Sequence, residues 1–267
     1  MLVICYGMAK SGSTLAFEMV RGILMSVGQS QSRVSCSGVS ATARGNFMKT
    51  ADRESIGNLL DYTGSNRILA VKSHHVFQDD MFEWLEELQA SRKLQVIASY
   101  RDPRDVCLSL VDAGKRARQN GRRGFSKIDG LPQAIRQVQK STQNFRKWAA
   151  LRGTLRLNYE TVAFSPDAAI TAAERALGVH SDRPRVVKHA FENAFTHKNK
   201  AVRHRYLDEL TAVEQAEMAE MFGDFIEKVC QHHDDSWFSD FRDEILHRTE
   251  TVFPRKSTRI ARARERQ

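Results

Sequence analysis

Four cysteines in 267 residues, Cys5, Cys36, Cys107 and Cys230, stand far apart, with no C-x-x-C pair and no metal-ligand spacing. That scarcity argues against a disulfide framework and a structural zinc site, and fits a reducing compartment. Long apolar runs are missing too. Nothing approaches the roughly 18 apolar residues that would announce a membrane span. The opening MLVICYGMAK lacks a basic start followed by a long apolar stretch, so no secretory leader is expected and the cytoplasm is the expected location. No internal repeat is visible.

Acidic residues are the other shortfall. Lys and Arg number 41 against 32 Asp and Glu, for a net charge of +9. The excess is uneven, because residues 255–267 hold six basic side chains and one acid, and +4 remains without them. A mildly basic body suits a small polyanion as well as a nucleic acid. The tail lacks interleaved aromatics for base stacking, so no nucleic-acid partner is expected. Residues 1–253 read as one domain, and 254–267 as a basic tail expected to lack order.

What is present alternates between two periodicities. Leu2 to Tyr6, Arg67 to Val71, Leu94 to Tyr100 and Thr154 to Tyr159 are short apolar runs of buried-strand type. Helical spacing appears over 14–27, 81–91, 103–110, 131–151, 168–177 (closed by Gly178) and 211–229. The Ser- and Gly-rich stretch 28–50 reads as an irregular excursion. This alternation predicts an α/β fold of three layers, α/β/α, P-loop-like, with a mostly parallel central sheet.

Gly7-Met8-Ala9-Lys10-Ser11-Gly12-Ser13-Thr14 follows the first strand and opens the first helix. It keeps the G-x-x-x-x-G spacing and closing Thr of a phosphate-binding loop, but Ser13 replaces the usual Lys, and Lys10 lies earlier. Backbone N–H groups of such a loop and the helix N-terminus make an anion cradle. The third strand ends in Tyr100-Arg101-Asp102-Pro103-Arg104-Asp105, with Ser109 two helical turns on. In a doubly wound sheet Arg101 then lies at the carboxyl edge beside the first loop, with a planar fork suited to phosphate. A structural ion pair with Asp105 is the competing reading of Arg101.

With both motifs in view, the chain resembles the sulfotransferases that use 3′-phosphoadenosine 5′-phosphosulfate (PAPS). Lys10 to Thr14 resembles their 5′-phosphosulfate loop, and Arg101 through Ser109 resembles their R-[ND]-P-x-D-x-x-x-S motif for the 3′-phosphate. The resemblance spans 2–229 and implies sulfuryl transfer from PAPS to an acceptor hydroxyl or amine, with no metal. It implies donor contacts from Ala9, Lys10, Ser11, Gly12, Ser13, Thr14, Arg101 and Ser109. Asn158-Tyr159-Glu160 resembles the strand ending that adds Tyr159 to the donor site. The segment 198–210 resembles the family's basic segment, where Lys198, Lys200 and Arg203 are candidates for the 3′-phosphate, although Tyr206 stands where Trp is usual.

Lys72-Ser73-His74 ends the second strand and resembles the family's K-T-H segment, which makes His74 the general base and Lys72 an aid to the leaving oxygens. Lys10 is expected to stabilise the bridging oxygen. His75 and a carboxylate are the alternatives for the base. The acceptor expected is a small molecule, a lipid or a saccharide, and the Arg- and Gly-dense stretch 114–127 is either a lid that meets an anionic acceptor or a solvated loop. Two rival functions remain: a P-loop kinase or NTPase, and a nucleic-acid-binding protein that uses the tail.

Overall fold

A computed structural model describes residues 1–42, 45–194 and 202–252. In chain order the elements are β1 (Leu2–Gly7), α1 (Ser13–Ser26), β2 (Val39–Thr42), β3 (Gly45–Met48), α2 (Arg53–Thr63), β4 (Leu69–Ser73), α3 (Phe82–Ala90) and β5 (Leu94–Tyr100). They continue with α4 (Pro103–Gln119), α5 (Leu131–Ala149), β6 (Leu155–Asn158), α6 (Tyr159–Phe164), α7 (Pro166–Leu177), α8 (Arg183–Ala194), α9 (Tyr206–Glu209), α10 (Ala212–Asp224) and α11 (Ser236–Val252). A π-helical turn, Phe225–Gln231, links the last two.

The sheet has six strands in the order β2-β3-β4-β1-β5-β6. Only the β2–β3 pair is antiparallel; the four other pairings are parallel. β1 shows why both faces must be covered. Leu2, Ile4 and Tyr6 join one apolar cluster, with side chains of α2 to α5, α10 and α11. Val3 and Cys5 join the other, with α1, α7 and α8. A strand apolar at both parities has no face for water, which is the condition of a central parallel strand between helical layers. The three-layer α/β/α expectation holds.

The structure departs from the sequence reading in several elements. The excursion 28–50 contains the hairpin β2–β3, which extends the sheet edge; its short, polar strands carry little period-2 signal. Helices α2, α6, α8, α9 and α11 have no counterpart in the sequence reading. In α2 only Ser55, Ile56, Leu59 and Thr63 are buried, too narrow a stripe to stand out. The helix expected over 211–229 starts with a capping box at Thr211 and Glu214 but breaks into the π turn at Phe225. The basic tail lies outside the described residues. No helix among the described residues is long and apolar enough to cross a membrane.

The parallel registers pair Tyr6 with Ser73 and Gly7 with Ser99. The carboxyl ends of β1, β4 and β5 are therefore level, and the three chain segments that leave them start side by side. Open α/β sheets bind ligands along that edge.

Candidate active site

The first segment is the loop from Gly7 to Thr14. Gly7 is required by close approach, since a Cβ there would lie 2.3 Å from Ser99 Oγ and 2.4 Å from Ser13 Cβ. Gly12, the N-cap of α1, sits at φ 80°, and Lys10 also takes a positive φ of 71°. The left-handed region costs a non-glycine residue about 1 kcal/mol. Strain of that kind concentrates at ligand sites. Ser11 is fully buried and fixes the turn, its Oγ donating to Met8 O at 2.8 Å and to Ser99 O at 3.3 Å. The loop thus opens the N-terminus of α1, whose first amides have no intrahelical acceptor.

The second segment leaves β4. Lys72 Nζ donates to Thr14 Oγ1 at 2.7 Å, so an ammonium rests on the closing hydroxyl of the phosphate loop. His74 Nδ1 lies 2.6 Å from Gly7 O. A carbonyl oxygen only accepts, so Nδ1 carries the proton and Nε2 keeps its lone pair. Burial, followed by the Lys72 charge, pulls the His74 pKa down to about 4, against a smaller upward pull from the Gly7 hydrogen bond. The imidazole is therefore neutral at pH 7. His75 is exposed, and its carbonyl accepts from Trp148 Nε1 at 2.9 Å, which pins the turn that carries His74. Phe47 of β3 packs against both imidazoles, with ring centroids 5.7 Å from His74 and 6.2 Å from His75.

The third segment opens α4, with Asp102 as N-cap and Pro103 in the first turn. Arg101 is buried, and its Nη2 donates to Asp105 Oδ2 at 2.7 Å and to Val202 O at 3.0 Å. The ion pair weighed as an alternative for Arg101 is present. It does not use up the side chain, because Nε is buried with no partner among the described residues. A buried N–H left unpaired costs about 1–3 kcal/mol, a cost that an incoming anion would remove. The guanidinium stacks on Tyr159, 4.2 Å from the ring centroid. Tyr159 in turn presses on the loop, since a Cβ on Gly12 would meet its Cδ2 at 2.4 Å.

The three segments enclose a single cleft of about 380 Å³. Ala9, Lys10, Gly12, Ser13, Thr14, Lys72, His74, Arg101, Ser109 and Tyr159 all line it, together with the apolar Leu15, Phe125, Ala163, Phe164, Phe191 and Ala194. Most residues expected at the site thus share one wall-to-wall space, with Lys10 and Arg101 on the same cleft. Ser11 supports the loop from below. Arg203 is not in the lining; its Nε lies 3.5 Å from Glu160 Oε2 and its guanidinium stacks on Phe164. Lys198 and Lys200 lie outside the described residues. The apolar wall was missed because Phe164 and Phe191 are isolated aromatics in sequence, without a motif. Among the described residues no group of three His, Cys, Asp or Glu side chains is placed to hold a metal ion.

Burial first and the Arg116 guanidinium second hold the Lys10 ammonium below its ordinary pKa. The Asp105 carboxyl is raised by burial despite the Arg101 charge beside it. A cleft with two Lys side chains and an Arg is an electropositive space with a neutral base at one side. Chemically, it can hold a two-ended anion and accept a proton beside it.

No protein-family model and no curated protein sequence matches the chain. Solved structures do. A mouse sulfotransferase crystallised with PAP matches with a TM-score of 0.53 and 11% identity, over 91% of this chain and 88% of that one. A retinol dehydratase complexed with androsterone and the inactive cofactor PAP matches at 0.49 and 14%, over 85% and 80%. The same enzyme with retinol and PAP matches at 0.47 and 14%, over 85% and 81%. The first match shows that the chain has the fold of that mouse protein; the other two, below 0.5, add nothing to the assignment.

Proposed function

We propose that the chain is a sulfotransferase that moves a sulfuryl group from PAPS to an acceptor hydroxyl or amine. The observation that carries the reading is the Lys72 ammonium on the Thr14 hydroxyl. In P-loop NTPases that hydroxyl serves Mg²⁺. Here a protein cation takes its place, as suits a sulfuryl group, which carries one negative charge where a γ-phosphoryl carries two. The bound PAP of the mouse structure that shares the fold supports the same donor.

In this reading residues Ala9 to Thr14 hold the 5′-phosphosulfate, and Arg101 and Ser109 hold the 3′-phosphate. Lys198, Lys200 and Arg203, in the sequence before α9, are further candidates for that phosphate, and Tyr159 braces both the loop and Arg101. His74 Nε2 takes the proton from the acceptor hydroxyl as its oxygen bonds to sulfur. The bond from sulfur to the bridging oxygen breaks, and its electron pair stays on the phosphate oxygen, where Lys10 and Lys72 stabilise the charge. Positioning and such electrostatic stabilisation supply most of the acceleration in the analogous phosphoryl transfers. His74 then returns its proton to water. Buried, unpaired thiols at Cys5 and Cys107 fit a cytoplasmic location.

Calorimetric titration in EDTA tests the donor. PAP binds and ATP binds much more weakly; dependence on Mg²⁺ with ATP preferred would establish the kinase reading instead. His74→Ala lowers turnover of labelled PAPS by roughly 10²–10⁴-fold while PAP affinity holds. Near-normal turnover would move the base to His75 or a carboxylate.

A further inference from the structure

The stretch 114–127 carries Lys115, Arg116, Arg118, Arg122, Arg123 and Lys127 and no acid. All six basic residues are exposed. The stretch is nonetheless built and held. Gly114 admits the returning chain, since a Cβ there would lie 1.9 Å from Ile128 O. Arg118 Nη1 ties the turn together through Ser126 O at 3.1 Å and Ile128 O at 2.6 Å, and Ile128 is buried as an anchor. Arg122 N closes on Ala117 O at 2.8 Å. These bonds set Phe125, at φ 63°, into the wall of the cleft that holds Lys10, Lys72 and His74. The field of the turn reaches the reacting end too, because Arg116 is the largest charge acting on Lys10.

We propose that this turn selects the acceptor, and that the acceptor is a soluble hydroxyl compound bearing its own anionic group, a carboxylate, sulfate or phosphate. The inference rests on the sulfotransferase reading and specifies its second substrate. Lys115, Arg122, Arg123 and Lys127 add a local positive potential at the cleft, which raises the concentration of anions there and steers them inward. Arg118 is occupied by backbone carbonyls, so Lys115, Arg122, Arg123 and Lys127 are the charges offered to the ligand. A lipid surface would need apolar side chains aimed outward. The turn offers a single large apolar residue, Phe125, too few for a lipid surface; 38% exposed, it lines the cleft mouth, where it can lie against the acceptor's own ring or carbon skeleton.

The test uses PAP-loaded protein and two fluorescent phenols of one shape, neutral 2-naphthol and anionic 6-hydroxy-2-naphthoate. The naphthoate is expected to bind about tenfold tighter at low salt, with the gap closing as salt rises, as exposed charges require. The variant Lys115→Gln/Arg122→Gln/Arg123→Gln/Lys127→Gln removes that preference while the PAP dissociation constant stays within about twofold. Equal binding of the two phenols, or binding of neither, overturns the proposal. So does a variant that loses PAP affinity, which would assign the turn to the donor, or one that loses only adhesion to phosphatidylglycerol vesicles, which would assign it to a membrane. A wild-type protein that fails to bind PAP at all refutes the sulfotransferase reading itself, a result visible before either phenol is added.

Discussion

Replacing His74 by Asn isolates the energetic signature of a neutral, half-buried imidazole. The Asn amide can still donate to the Gly7 carbonyl that now receives Nδ1 at 2.6 Å, but it has no proton to gain. In the wild type the His74 pKa falls from an ordinary 6.5 to about 4, first through burial and then through the Lys72 charge. The unfolded chain therefore binds the extra proton throughout that window while the folded chain does not. Stability from this site is whole above pH 6.5, is lost as pH falls, and is fully lost near pH 4. At about 1.4 kcal/mol per pH unit, the wild type should lose up to about 3 kcal/mol relative to His74→Asn between pH 7 and pH 4. Urea denaturation of both proteins at half-unit steps measures the difference directly, and all other titrations cancel. Parallel curves would show that His74 is solvated and protonates freely, and its assignment as a cleft base with a fixed tautomer would fail.

Lys72→Met removes the second-largest cause of the low His74 pKa. The acid limb of the pH–rate profile should move up toward 6.5, while turnover falls roughly 10²-fold through loss of charge on the leaving oxygen. Arg101→Met alone leaves fully buried Asp105 without its ion pair and should cost about 3–5 kcal/mol of stability. Combined with Asp105→Asn it restores the melting temperature but not PAP affinity, which stays about 10–100-fold weaker. Recovery of affinity in the double variant would free Arg101 from any donor role. Gly12→Ala must hold φ 80° and push a methyl to 2.4 Å from Tyr159. A loss of about 1–3 kcal/mol is expected in thermal melts, only part of which Tyr159→Ala restores.

The legible part of the fold is the part that repeats one rule, an apolar strand that ends in a loop with chemistry. β1 with Gly7 to Thr14, β4 with Lys72 to His74, and β5 with Arg101 stand out because all are buried on both faces and end abruptly in polar residues. The parallel register then brings those ends together, so three motifs at 7–14, 72–74 and 101–109 become one cleft. The edge hairpin stayed hidden because β2 and β3 contain Ser40, Thr42, Gly45 and Asn46, residues of low strand propensity or mixed polarity. Asn46 is held there by tertiary bonds to Val34 N and Ser32 O. The tautomer of His74 and the ammonium on Thr14 are likewise products of packing between strands. No local pattern encodes them.

A crystal structure with PAP bound tests the central claim most directly. One phosphate is expected on the amides of Ala9 to Thr14 within reach of Lys10, and the other on Arg101 and Ser109, with Arg101 Nε no longer unpaired. Both phosphates gathered on the loop, with Arg101 still bonded only to Asp105 and the Val202 carbonyl, would contradict it.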